Sequence, residues 1–156
     1  MKAAVLTVSD RVSRGEAEDR SGDALAELLR ADGYDVERRV VPDEREHIAA
    51  ALRELAASAR VVLSTGGTGL APRDVTPEAT RDVIDREAPG IAEAMRLASQ
   101  SKTRHWMLSR GVAGIRGSTL IVNFPGSPKS IGEAGEAIAE SLPHALALVS
   151  GEDDHH

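Results

Sequence analysis

The chain has 156 residues, 41% hydrophobic and 28% charged, a length and balance suited to one globular domain whose core needs no crosslink. It contains no cysteine, which excludes disulfides, thiolate metal sites, iron-sulfur clusters and a cysteine nucleophile. A net charge of -6, with aromatics limited to Tyr34, Trp106 and Phe124, argues against a nucleic-acid partner, which needs cationic surface and stacking rings. The apolar runs fall short of the roughly 20 residues of a membrane span. Met1 to Val5 enters a strand rather than a leader, so no membrane partner and a cytoplasmic location are expected.

Ala3 to Val8 is an apolar run closed by Ser9-Asp10-Arg11, which predicts a buried strand ending in a polar turn. Asp19 to Ala31 carries Leu25, Leu28 and Leu29 at helical spacing and is followed by Gly33, a helix terminator. Tyr34 to Val41 predicts a second strand. Pro42-Asp43 breaks it, and Asp43 with Glu46 forms a capping-box pattern that opens a helix through Ala57. Val61 to Leu63 is a short buried strand running into the loop Ser64-Thr65-Gly66-Gly67-Thr68-Gly69.

Thr76-Pro77-Glu78 predicts a helix with Thr76 as its cap and Pro77 in first position, and Pro89 restarts that helix after a kink. Ile91, Met95 and Ala98 then share one helical face. Residues 99–109 have no clear period. Val112 to Arg116 and Thr119 to Phe124 predict a hairpin about Gly117-Ser118, which places one antiparallel strand in the sheet. Ser127-Pro128 caps a further helix, and Pro143 opens a short last one ending before Gly151. Residues 1–151 are expected to form one domain, and 152–156 a disordered acidic and histidine tail in which His155 and His156 could be native or added.

Strands alternating with helices imply a mostly parallel sheet in a three-layer α/β/α sandwich. Ligands of such sheets sit beyond the carboxyl ends of the strands. The turns after the first three strands should therefore share one edge, and they carry the polar residues. Glycines allow close approach of backbone amides to a phosphate, although this loop has neither the P-loop ending nor the spaced dinucleotide fingerprint. Asp43 and Asp74 are candidates for sharing magnesium, which favours one or two carboxylates plus phosphate oxygens and waters. The plain alternatives are a helix cap for Asp43 and a solvated residue for Asp74. Gly126-Ser127-Pro128-Lys129 offers open amides and a cation to an anion, or simply a capped helix. No histidine has metal-ligand spacing, and none is given a catalytic role.

The runs Thr7 to Arg11, Val41 to Glu44, Ser64 to Gly69, Pro72 to Ala79 and Asn123 to Lys129 together resemble the molybdopterin-binding proteins of the Mog/MoaB type, the molybdopterin adenylyltransferases. The resemblance covers nearly the whole chain. It implies magnesium-dependent adenylylation of molybdopterin by ATP with release of pyrophosphate, a step of molybdenum cofactor biosynthesis. Asp43 and Asp74 would then be the catalytic, magnesium-holding acids. Ser9, Asp10, Thr65, Gly66, Gly67, Thr68, Gly69, Arg73, Gly126, Ser127, Pro128 and Lys129 would line the pterin and nucleotide sites. It further implies a homotrimer or hexamer and a separate molybdenum-insertion protein. A non-catalytic molybdopterin carrier on the same fold is the alternative, and a flavodoxin-like carrier a weaker one.

Overall fold

Every residue after Lys2 in the strand β1 (Lys2–Val8) is buried, as a strand covered on both faces requires. The computed structural model describes residues 1–152; positions 153–156 of the expected tail, including His155 and His156, lie outside the described residues. β2 (Asp35–Val41), β3 (Val61–Thr65), β4 (Arg86–Glu87), β5 (Ala113–Arg116) and β6 (Thr119–Phe124) complete a six-stranded sheet in the order β2-β1-β3-β6-β5-β4. The pairs β1-β2, β1-β3 and β3-β6 are parallel. β5 runs antiparallel to both neighbours, so it is the single reversed strand, as expected.

The period-two alternation of β1 divides its side chains between two apolar layers. Ala3 and Val5 face the layer built from α2 (Arg20–Ala31), α5 (Pro89–Ala98), α6 (Pro128–Ile138) and α7 (Leu142–Ser150), with Leu25, Leu29, Met95, Ile131 and Leu146 in its core. Ala4, Leu6 and Val8 face α3 (Arg45–Ala56) and α4 (Thr76–Val83), through Ile48, Leu52, Leu55 and Val83. The result is the expected three-layer sandwich with an aliphatic core. Among the described residues no helix is long and apolar enough to cross a membrane.

Four local expectations are corrected. Glu44, not Asp43, precedes α3, and no side chain caps that helix, because the Asp43 carboxylate is committed to the Asp10 amide at 2.8 Å. Val75, not Thr76, precedes α4; the Thr76 hydroxyl instead donates to the Gly66 carbonyl at 2.9 Å, which puts Thr76 first and Pro77 second in the helix. Between α4 and α5 the chain does not merely kink. It extends to add β4, with the Asp85 and Ala88 amides donating to the Ile115 and Ala113 carbonyls of β5. Glu152, assigned to the tail, still donates its amide to the Ala147 carbonyl at 3.0 Å.

The segment without a period resolves into a 3-10 turn, Arg104–Leu108, capped by Thr103. The hairpin about Gly117-Ser118 forms as expected, with Arg116 opposite Thr119 and Gly117 at φ 57°.

One buried polar residue ties these pieces together. The Asn123 side-chain amide donates to the hydroxyls of Ser64 and Thr80 at 2.9 and 3.0 Å, and its carbonyl oxygen accepts from the Val112 amide at 3.1 Å. A side chain on β6 thereby joins β3, α4 and the entry to β5. Truncation would leave buried donors and acceptors unpaired, each worth about 1–3 kcal/mol. Asn123→Ala is therefore expected to destabilise the fold by roughly 2–3 kcal/mol, read as a lower urea midpoint with an unchanged m-value.

Candidate functional site

The chain passes from β1 to β2 on one side and then crosses to β3 on the other, so strand order reverses between β1 and β3. At such a reversal the outgoing connections diverge and leave a crevice beyond the strand ends. Here that crevice is bounded by the turn after β1, which enters the short helical turn α1 (Asp10–Ser13) capped by Ser9, and by the glycine loop after β3. The loop after β6 lies alongside: the Thr65 hydroxyl donates to the Pro125 carbonyl at 2.7 Å, and a Cβ on Gly126 would stand 3.6 Å from the Gly66 Cα. Ser21 on α2 holds the same segment through the Gly126 carbonyl at 2.7 Å.

Within the glycine loop, Gly66 and Gly67 have φ of 94° and 70°. Neither position tolerates a side chain. A Cβ on Gly66 would fall 2.3 Å from the Val8 carbonyl oxygen, and one on Gly67 would fall 2.3 Å from the Thr76 hydroxyl and 3.3 Å from an Asp43 carboxylate oxygen. The loop is thus pressed directly against the turn after β1, the start of α4 and Asp43. Thr68 is buried, whereas Gly69 lies beside the Asp74 carboxylate.

Asp10 and Asp43 exchange hydrogen bonds. The Asp10 amide donates to the Asp43 carboxylate at 2.8 Å, and the Asp43 amide donates to the Asp10 carboxylate at 3.0 Å. Arg73 closes the group with a two-pronged contact to Asp10 at 2.6 and 3.0 Å. The Arg73 hydrogen bond, helped by the Asp43 amide, lowers the Asp10 pKa to about 2. Asp43 moves the other way: burial raises its pKa, with the charges of Asp10 and Asp74 adding to the rise against the pull of the Asp10 amide and Arg73. Of the two acids singled out in the sequence, Asp43 therefore feels the charge of the other, Asp74. Asp74 itself accepts from the Ala71 amide at 3.0 Å, in a turn its own amide closes onto the Ala71 carbonyl.

Ser127 caps α6, accepting from the Ser130 amide, and Pro128 and Lys129 are exposed at the same helix start. Ser9 caps α1 with its hydroxyl accepting from the Val12 amide at 3.1 Å. Thr65 differs from the others, since its side chain is buried and spent on joining two loops.

Two features escaped the sequence reading. The first is a cavity of about 210 Å³ between α5, the 3-10 turn and α6, lined by Arg96, His105, Trp106, Ser109, Asn123 and Ser130 among others. The second is Arg110, whose guanidinium reaches the Gly69 carbonyl at 2.8 Å, the Asp74 carbonyl at 2.7 Å and Glu78 at 2.6 Å. The cavity draws on the segment that lacks periodicity and Arg110 directly follows it, and isolated polar residues there carry no pattern that distinguishes them from a solvated loop.

A doubly wound α/β domain, with backbone amides and an acidic pair gathered where its strand order reverses, is the class that fold and site define. Residues 4–144 match the family model described as a probable molybdopterin binding domain, and the chain belongs to that family. The molybdenum cofactor synthesis protein cinnamon of Drosophila melanogaster is 43% identical over 96% of this chain, which spans only 25% of that relative's length. A protein of Helicobacter pylori named molybdopterin adenylyltransferase is 41% identical, with 94% of this chain and 86% of that protein covered. The crystal structure of the molybdopterin biosynthesis enzyme MoaB from Thermus thermophilus superimposes with a TM-score of 0.89 at 51% identity, covering 96% of each chain.

The raised pKa of Asp43 sets the sign of one prediction. A carboxyl whose folded pKa exceeds its unfolded value penalises the fold once ionised, so the penalty is present at neutral pH and disappears as pH falls through the raised value. Asp43→Asn, which keeps an oxygen for the Asp10 amide, is expected to melt at a higher temperature than the parent at pH 7. That advantage should shrink as pH is lowered into the carboxylate range.

Proposed function

We propose that the chain is a molybdopterin adenylyltransferase of molybdenum cofactor biosynthesis, using ATP and magnesium. The carrying observation is that Asp43, Asp74 and the glycine loop share one crevice at the strand-order reversal. In the reaction a terminal phosphate oxygen of molybdopterin forms a bond to the α-phosphorus of ATP, the bond from that phosphorus to the bridging oxygen breaks, and pyrophosphate leaves. Transfer of this kind needs alignment and offset of charge rather than a covalent enzyme intermediate, which suits a chain without cysteine.

The residues fit a magnesium ion by the chemistry of their donors. Of the acids around Asp43, Asp10 is already neutralised by Arg73, which leaves Asp43 and Asp74 as neighbouring like charges that a dication would relieve. Among the described residues no group of three or more His, Asp or Glu is arranged to hold a metal. Asp43 and Asp74 would therefore hold the ion together with phosphate oxygens and water, as magnesium prefers, and it would neutralise charge on the triphosphate.

The chain's own groups supply the rest. The amides of Gly66, Gly67 and Gly69 would approach phosphate oxygens, because no Cβ intervenes. Ser9 and Asp10 would border the same phosphates, with Arg73 held ready by Asp10 as a cation. The start of α6, with Ser127, Pro128 and Lys129, would receive the second anionic group. The adjoining cavity, with Trp106 on its wall, has room for a flat heterocycle such as the pterin.

Incubation with molybdopterin, ATP and magnesium should give adenylylated molybdopterin and pyrophosphate. Asp43→Ala and Asp74→Ala are each expected to lower the rate by about a hundredfold or more while remaining folded. Tight molybdopterin binding with no ATP-dependent product would show a carrier instead. Gly67→Val should lose nucleotide affinity before it loses the fold, because its side chain would strike Thr76 from a left-handed backbone; a folded variant with parent-like affinity would remove the loop from the site.

A further inference from the structure

Arg110 lies outside the crevice, yet it grips the back of the segment that carries Asp74. Its Nε donates to the Gly69 carbonyl at 2.8 Å and its Nη2 to the Asp74 carbonyl at 2.7 Å, so one planar group spans both ends of the excursion from residue 69 to 74. Nη1 meets Glu78 in the first turn of α4 at 2.6 Å. The Arg110 main chain adds a fourth tie, donating its amide to the Thr68 carbonyl at 2.8 Å. Besides the Arg73 pair with Asp10 and the turn that Ala71 and Asp74 close on each other, the excursion has little to hold it, and Leu70, Ala71, Pro72 and Arg73 are all exposed.

We propose that Arg110 is a positioning residue that sets where the Asp74 carboxylate stands relative to Asp43. This rests on the adenylyltransferase reading, in which those two acids hold magnesium. The chemistry requires a guanidinium. Two carbonyls and a carboxylate in different directions need a rigid fork of donors, whereas an ammonium on a flexible stem supplies a point charge. The Glu78 pair orients the fork and keeps its charge matched, and the guanidinium in turn lowers the Glu78 pKa. Removing the side chain leaves the Gly69 and Asp74 carbonyls to water and loosens the Asp74 end of the excursion, which then depends on the Arg73 pair with Asp10 and its own turn, while the sheet and both apolar layers keep their contacts.

The test compares the parent with Arg110→Ala, Arg110→Lys, Asp74→Asn and Arg45→Ala. Arg45 pairs with Asp82 at the protein surface and serves as the control for loss of an ion pair involving α4. Arg110→Ala is expected to need about tenfold more magnesium for half-maximal adenylylation, the usual scale for loss of a group that orients a metal ligand. Its rate at saturating magnesium should stay within about threefold of the parent on that same account. Binding of manganese in the presence of ATP, followed by electron paramagnetic resonance, should weaken in parallel. Arg110→Lys should fall between the two, and Arg45→Ala should match the parent.

Hydrogen exchange supplies a readout that needs no substrate. Peptides covering residues 66–76 should exchange faster in Arg110→Ala, with β1 and α2 unchanged. Parent-like metal dependence in a folded Arg110→Ala or Arg110→Lys protein would overturn the proposal, as would a fall in the saturated rate with metal affinity intact. An inactive parent, or an Asp74→Asn variant as active as the parent, would sink the adenylyltransferase reading itself; in that event unchanged exchange in 66–76 would also overturn the hold assigned to Arg110.

Discussion

Two hydrogen bonds exchanged between Asp10 and Asp43 govern the layout of the crevice. Each residue offers its amide to the other's carboxylate, so the turns after β1 and β2 become one unit although they belong to different crossovers. Without that exchange the Asp43 carboxylate would be free to cap α3, as its sequence context invites, and would turn away from the glycine loop. Arg73 reinforces the arrangement from the far side of Asp10. A single arginine thus leaves one carboxylate of the group neutralised and the others exposed to mutual repulsion.

On the proposed reading that repulsion serves the site rather than the fold. Asp43 is partly buried beside two other acids, a placement that costs stability at neutral pH and that an amide residue, which keeps an acceptor for the Asp10 amide, would relieve. In the proposed adenylyltransferase the same placement would present a concentrated negative charge to magnesium and, through it, to the triphosphate. Positive φ at Gly66 and Gly67 restricts both positions to glycine, since any side chain there would collide with Val8 or Thr76.

The supports of the site come from remote segments. Asn123 holds β3, α4 and the entry to β5 in one buried network, Thr65 ties the glycine loop to the loop after β6, and Arg110 ties the far end of that loop to α4. These contacts bridge stretches of chain far apart in sequence. They explain how flexible glycines can form a defined surface.

Local information in the sequence was enough for the strands other than β4, for the helices built on leucine spacing, for the hairpin at Gly117-Ser118 and for the gathering of the turns at one edge, because apolar periodicity and turn chemistry act over a few residues. The order Asp43, Gly66 to Gly69 and Asp74 was legible for the same reason. Which partner each polar group would choose was not. Asp43 and Thr76 both carry helix-cap signals, yet each is taken by a loop that only the folded sheet brings near. The strand β4 follows from an open edge on β5, and the roles of Arg110 and the cavity beside Trp106 follow from segments without a period of their own. A hydrogen bond is decided by what stands within about 3 Å, and for these groups the neighbours are set by the packing of the whole chain.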